Sequence, residues 1–180
     1  EPAHFENFST TLQTHFEVRA FSPARGKFAV IFHDVTQQRN AQMIMLARMK
    51  FIESSTVQPL DRLLQTILDE AEDMTGSKVG FYHFVGADEQ TLLLQSWSTR
   101  TASEFCKADG KGLHYPVERA GVWADCVREK RPVIHNDYAN LPDRKGLPEG
   151  HAQVVRELVV PILRGGEVVA ILGVGNKAND

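Results

Sequence analysis

Cysteine is scarce in this sequence of 180 residues, which contains only Cys106 and Cys126. Neither belongs to a Cys-x-x-Cys pair, and two cysteines make a poor disulfide framework, so we expect a reducing, cytoplasmic compartment. Positive charge is not in excess either, because the net charge is −3, and this argues against nucleic acid as a partner. No run of about 18 apolar residues occurs, and the first residues lack the pattern of a signal peptide, so we expect no membrane span.

The first regular pattern lies near the N-terminus. Apolar and charged residues alternate over 15–21, turn-forming residues occupy 22–26, and a second apolar run covers 27–33. This pattern predicts a β-hairpin over 15–33. A lone hairpin is marginally stable in water, and we expect no strand upstream that would extend it.

Two helices are expected after the hairpin. Residues 37–57 contain neither Gly nor Pro and are rich in helix formers, with Thr36 as the expected N-cap and apolar residues along one side. From Leu60 to Met74 the apolar residues recur with the helical period, and Gly76 ends this second helix.

The rest of the chain alternates strands with irregular stretches. The pattern predicts, in order, strands over 79–85 and 91–98, a short helix over 121–130 and a long loop over 135–151. Two apolar runs then flank Gly165-Gly166, which predicts a two-residue hairpin turn with positive φ at both glycines. Because both runs are apolar on both faces, we expect helices to cover one side of the sheet and loops the other.

This order of elements, and several local motifs, resemble the GAF family. The motifs are residues 121–126 (GVWADC), 131–138 (RPVIHNDY), 150–151 (GH), 156–161 (RELVVP) and 173–177 (GVGNK). They are similar to a GAF subfamily common in bacterial multidomain signalling proteins, such as sensor histidine kinases and cyclic-dinucleotide enzymes. The resemblance implies an α+β, three-layer fold with a central antiparallel sheet, helices on one face and ligand-side loops on the other.

A second resemblance concerns the N-terminal part. Residues 15–39 are similar to the last hairpin of a PAS domain and its Asp-x-Thr exit, here Asp34-Val-Thr36. The expected organisation is therefore a C-terminal PAS remnant over 1–35, a helical coupler over 36–58, and a GAF domain over 59–180 that lacks its C-terminal helix.

The GAF resemblance also implies a small-molecule pocket between the sheet and the irregular crossover. The residues that match its position are Phe81, His83, Trp97, Trp123, Cys126, Asn136, Asp137, Tyr138 and Arg156. The alternative is structural: the three large aromatic residues would fill core, and residues 136–138 would order their own loop. Arg156 needs a partner if buried, either an acid such as Asp137 or an anionic ligand.

No cofactor is indicated by the residues. The seven histidines form no metal-binding spacing, neither cysteine has the surroundings expected for bilin attachment, and no haem signature is present, so the ligand stays unknown. One GAF branch reduces free methionine sulfoxide with several positioned cysteines, so an enzyme that uses Cys106 or Cys126 is an alternative.

The function expected from these observations is that of a sensory module without catalysis. A small molecule would shift the helices of a homodimer that is formed through the hairpin and coupler helix, and so control an output domain in the same chain. Besides the cysteine enzyme, the remaining alternative is a purely structural dimerisation module with a filled core.

Overall fold

The computed structural model describes residues 2–105, 114–142, 144 and 153–179. The chain divides into two compact units, Glu1–Glu53 and Ser54–Asp180.

The first unit contains a three-stranded antiparallel sheet in the order β1-β2-β3. Its strands are β1 (Ala3–Ser9), β2 (Thr14–Phe21) and β3 (Ala29–Asp34). The hairpin is confirmed, but the expectation that no strand precedes it is wrong. β1 pairs with β2 from Ala3↔Ala20 to Ser9↔Thr14. The sequence pattern does not reveal β1 because its two large apolar residues, Phe5 and Phe8, lie three apart and do not alternate.

Helix α1 (Thr36–Val57) follows this sheet. The expected N-cap is wrong, because the Thr36 hydroxyl accepts a hydrogen bond from the His15 N–H at 2.9 Å. The Asp34 carboxylate instead accepts from the Thr36 N–H at 2.9 Å, which satisfies the first free amide of the helix. Ala47 is buried, whereas large apolar side chains of α1 are exposed: Met43, Ile44, Met45, Leu46, Met49, Ile52 and Val57.

The second unit is built on a six-stranded antiparallel sheet in the order β6-β5-β4-β9-β8-β7. Its strands are β4 (Val79–Val85), β5 (Thr91–Trp97), β6 (His114–Pro116), β7 (Val133–His135), β8 (Glu157–Arg164) and β9 (Glu167–Gly175).

Helix α2 (Leu60–Thr75) covers one face of this sheet. It buries Leu64 and Leu68 against Tyr82 and Ala170. Gly76 ends the helix in the left-handed conformation, with φ of 69°, and its N–H donates to the Glu72 carbonyl. A residue with a β-carbon is strained at this φ, so glycine is the natural terminator, as the sequence predicts.

Short helices cover the opposite face. They are helix α3 (Asp125–Glu129) and the 3-10 helices Val117–Arg119, Val122–Ala124 and Tyr138–Asn140. Side chains from these segments and from the strands form the larger core: Val85, Leu92, Val117, Ala120, Ala124, Cys126, Val127, Val133, Val159, Val168 and Ile171. The three-layer arrangement with an antiparallel sheet is therefore confirmed.

The β8–β9 hairpin also has the predicted turn. Arg164 pairs with Glu167, and φ is 62° at Gly165 and 89° at Gly166. Two successive positive φ values match the twist of the flanking strands, so this hairpin needs glycine at the turn.

Candidate functional site

Four aromatic side chains meet on the face of the sheet opposite α2, and we call them the aromatic cluster: Phe81, His83, Trp97 and Trp123. Phe81 lies at their centre, with ring centroids 5.6 Å from His83, 6.3 Å from Trp97 and 5.9 Å from Trp123. Phe81 and His83 share this face because alternate residues of a strand point the same way. Trp97 lies directly across from Phe81 on β5.

A glycine in β9 sets the position of the Phe81 ring. Gly173 pairs with Phe81, and a β-carbon added to Gly173 would overlap the ring. Phe81 therefore lies across the neighbouring strand at a position where that strand has no side chain. This close approach fixes the contact of Phe81 with the other three rings.

The two Trp residues and Phe81 are half-buried, whereas His83 is buried. The imidazole ring of His83 stacks on Trp123, with centroids 4.9 Å apart and an interplanar angle of 27°. Trp123 belongs to the 3-10 helix Val122–Ala124, so a short segment outside the sheet completes the cluster.

A buried carboxyl group lies on the same face of the second unit. Glu157 lies at the start of β8 and is paired with His135 of β7. Its carboxyl group forms a hydrogen bond with His135 Nδ1 at 2.9 Å. Burial raises the pKa of Glu157, and the hydrogen bond and charge of His135 oppose that rise. The sequence drew attention to Arg156 as a charged residue that would need a partner if it were buried. The buried charged residue at the start of this strand is instead its neighbour, Glu157.

Tyr138 places a hydroxyl group beside the aromatic cluster. Its side chain is 4% exposed, and Oη has no hydrogen-bond partner within the described parts of the chain. A β-carbon at Gly121 would lie 3.4 Å from Tyr138 Oη and 3.2 Å from Trp123 Cδ1, so the hydroxyl and the Trp123 ring both border the same glycine. Burial, followed by the charge of Glu157, raises the pKa of Tyr138.

Cys126 lies beneath these groups as a core residue. It is fully buried, and its Sγ lies 3.6 Å from the Trp123 carbonyl. Burial, with the charges of Glu157 and Asp125, raises the pKa of Cys126 to about 12. The thiolate is the reactive form of cysteine, so this thiol is a poor nucleophile at neutral pH. Cys106, the other cysteine, lies outside the described residues.

The other predicted site residues lie in polar surroundings of their own. Asn136 and Asp137 are exposed, and the Asp137 carboxylate accepts a hydrogen bond from Asn140 Nδ2 at 2.7 Å. This contact matches the structural alternative for the loop. Arg156 donates from Nη1 to the carbonyls of Lys177 and Ala178, both at 2.9 Å, and so holds the segment after β9.

The structure thus brings together Phe81, His83, Trp97, Trp123 and Tyr138, with Cys126 behind them. Sequence reasoning missed Glu157 and Gly173. Both carry a recognisable signal: an acidic residue that opens an apolar strand, and a glycine inside a strand, which often marks a close approach. The described residues include no group of three potential metal ligands. Among them there is also no helix long and apolar enough to cross a membrane.

Comparison with known proteins agrees with this architecture. The family model described as GAF domain matches residues 57–180, and the chain belongs to this family. Among solved structures, the GAF domain from a phosphoenolpyruvate-protein phosphotransferase of Coxiella burnetii superimposes with a TM-score of 0.62 at 16% identity, covering 77% of this chain and 79% of that one. The free methionine-R-sulfoxide reductase of Neisseria meningitidis, in complex with its substrate, gives 0.54 at 17% identity, covering 77% and 75%. These likenesses show the fold.

A curated protein is more similar in sequence. The methyl sulfide methyltransferase-associated sensor of Methanosarcina acetivorans is 35% identical over 156 residues, which cover 82% of this chain. The chain spans 15% of the length of that protein. Family membership and this similarity to a sensor support a regulatory, sensory role.

Proposed function

We propose that the second unit binds a small planar molecule against the aromatic cluster, and that this binding regulates an output domain of a larger signalling protein. Tyr138 supplies the polar anchor of the site. The PAS remnant, the homodimer and the cytoplasmic location belong to the same proposal.

The Tyr138 hydroxyl, which has no hydrogen-bond partner among the described residues, is the observation that carries the proposal. Leaving a buried hydroxyl without a hydrogen bond costs about 1–3 kcal/mol. A core tyrosine without a polar task would be replaced at no such cost by phenylalanine. A ligand atom, or an ordered water molecule, that accepts or donates a hydrogen bond at Oη would offset this cost.

The aromatic cluster supplies an apolar surface next to that hydroxyl. Phe81, Trp97 and Trp123 are each half-buried. Small-molecule sites typically combine aromatic walls with a few placed polar groups.

A thermal-shift screen of small planar compounds tests this function. We expect a compound that stabilises the wild type and fails to stabilise Trp123→Ala while that variant remains folded. If no compound stabilises the wild type, and Trp123→Ala only loses about 3–5 kcal/mol of stability, Trp123 is a core residue and the structural-module alternative is favoured.

The proposed homodimer has a separate support in α1. Met45 and Ile52 lie seven residues apart, on one side of the helix, and are 65% and 68% exposed. Sedimentation of the full chain should show a dimer, and Met45→Lys/Ile52→Lys should be monomeric. Asn40→Lys, at an exposed position about 140° around the helix from Met45, is the control and should remain dimeric. A monomeric wild type would contradict the dimer without affecting the ligand proposal.

A further inference from the structure

Helix α2 is held to the chain after β5 by a set of polar contacts, the outer ones exposed and the inner ones buried. The Asp69 carboxylate accepts hydrogen bonds from the Thr99 N–H and the Thr99 hydroxyl, both at 2.7 Å. One turn later, Glu72 accepts from the hydroxyls of Ser98 and Thr101. We call these five residues the α2 clasp.

The inner half of the clasp is sealed from water. Glu72 is 2% exposed, and Ser98 and Thr101 are fully buried. The Gly80 N–H donates to Thr101 Oγ1 at 2.9 Å, and a β-carbon at Gly80 would lie 3.0 Å from Glu72 Oε1. Buried polar networks tolerate few arrangements, because each group that loses its partner is costly. The clasp therefore holds α2 and residues 98–101 in a defined relation.

The clasp begins one residue after the aromatic cluster. Trp97 contacts Phe81 on one face of the sheet, and Ser98 directs its hydroxyl to Glu72 on the other. The Ser98 N–H is held by the Gly80 carbonyl at 2.9 Å, and Gly80 directly precedes Phe81. Trp97 is thus joined through one peptide bond to a residue whose side chain contacts α2.

We propose that the α2 clasp is the coupling element that transmits a displacement of Trp97 to helix α2. This inference rests on the proposed sensory function, because it supplies the route by which binding at the cluster would reach a helix. Asp69, Glu72, Ser98 and Thr101 are positioning residues in this account. Coupling between two sites requires an element whose arrangement depends on both of them. The clasp meets this condition, because Ser98 directly follows Trp97 of the aromatic cluster and binds Glu72 of α2.

Hydrogen exchange of the amides in the last two turns of α2 tests the clasp without any ligand. In the otherwise wild-type full chain, Trp97→Ala should speed this exchange by about tenfold. In the Asp69→Ala/Ser98→Ala background, the same substitution should change the exchange by less than about twofold, because the link is already broken. Trp97→Phe is a milder second variant with an effect of the same sign.

Two controls separate the clasp from general loosening. Trp123→Ala disturbs the same aromatic cluster from the other side and should leave α2 exchange nearly unchanged. Asp73→Ala/Ser103→Ala, which lies outside the clasp, should preserve the response to Trp97→Ala. The proposal is overturned if both Trp97 variants leave α2 exchange unaltered, or if the response is equal with and without the clasp. A failed ligand screen would contradict the proposed function alone, since this test uses no ligand.

Discussion

The two faces of the central sheet differ in whether their buried polar groups have hydrogen-bond partners. On the α2 face, the Glu72 carboxylate accepts hydrogen bonds from the Ser98 and Thr101 hydroxyls. The Thr101 hydroxyl also accepts one from the Gly80 N–H. On the opposite face, the Tyr138 hydroxyl is buried without a partner among the described residues. Because the polar groups of one face have partners and the Tyr138 hydroxyl of the other has none among the described residues, we infer that the face opposite α2 is the one adapted to a ligand.

Both faces also bury one carboxyl group, and burial raises the pKa of Glu72 and of Glu157. The buried acids therefore do not distinguish the faces. The aromatic cluster and the unpaired hydroxyl do, because they occur together on one face only among the residues that the structure describes.

The largest effect is expected for Gly173→Ala. Its new methyl group would overlap the Phe81 ring and force it out of the aromatic cluster, which should lower the free energy of unfolding by about 2–3 kcal/mol. Chemical denaturation measures the loss. In a Phe81→Ala background the same change should cost much less, because no ring remains to overlap with the new methyl group. A Gly173→Ala variant as stable as the wild type would mean that Gly173 does not fix the ring.

A matched pair of hydroxyl deletions compares the two faces directly. Thr101→Val should destabilise the protein by about 1–2 kcal/mol, because the buried Gly80 N–H loses its acceptor. Tyr138→Phe removes a hydroxyl that has no partner in the described structure, so its cost should be close to zero or negative. Denaturation at one pH measures both. Equal losses for the two variants would remove the distinction between the faces.

The smallest effect is a pH dependence that arises from Glu157. Its pKa is raised in the folded state, so the folded protein favours the protonated form. The corresponding stability is present at low pH and is lost as the pH rises above the ordinary value of 4.5 and through the raised pKa. Glu157→Gln lacks this titration, so its stability relative to the wild type should increase with pH. The exposed Glu104→Gln control should run parallel to the wild type, and a Glu157→Gln curve that does the same would contradict the assignment.

Local patterns were sufficient for much of the second unit. The helical period predicts α2, Gly76 marks its end, and Gly165-Gly166 predicts the turn of the β8–β9 hairpin. Each of these features depends on residues that are close in sequence. The family resemblance then supplied the three-layer arrangement that places Phe81, His83, Trp97 and Trp123 on one face.

The features that local patterns did not predict depend on distant partners or on the backbone. β1 is held by backbone pairing with β2, and its side chains carry little signal. The α2 clasp joins Glu72 to Ser98, which lie 26 positions apart, so no local spacing reveals it. That Tyr138 Oη has no partner among the described residues is likewise a property of the packed structure, whereas the family resemblance indicates only that Tyr138 matches the position of the pocket.

Native mass spectrometry of the full chain and of Tyr138→Phe tests the central claim most directly. If the face opposite α2 binds a small molecule through Tyr138, the wild type purified from cells should carry a bound species of defined mass, and the isosteric variant should have lost most of it while remaining folded. A wild type that has only the mass of its own chain, together with a thermal-shift screen that finds no stabilising compound, would contradict the account.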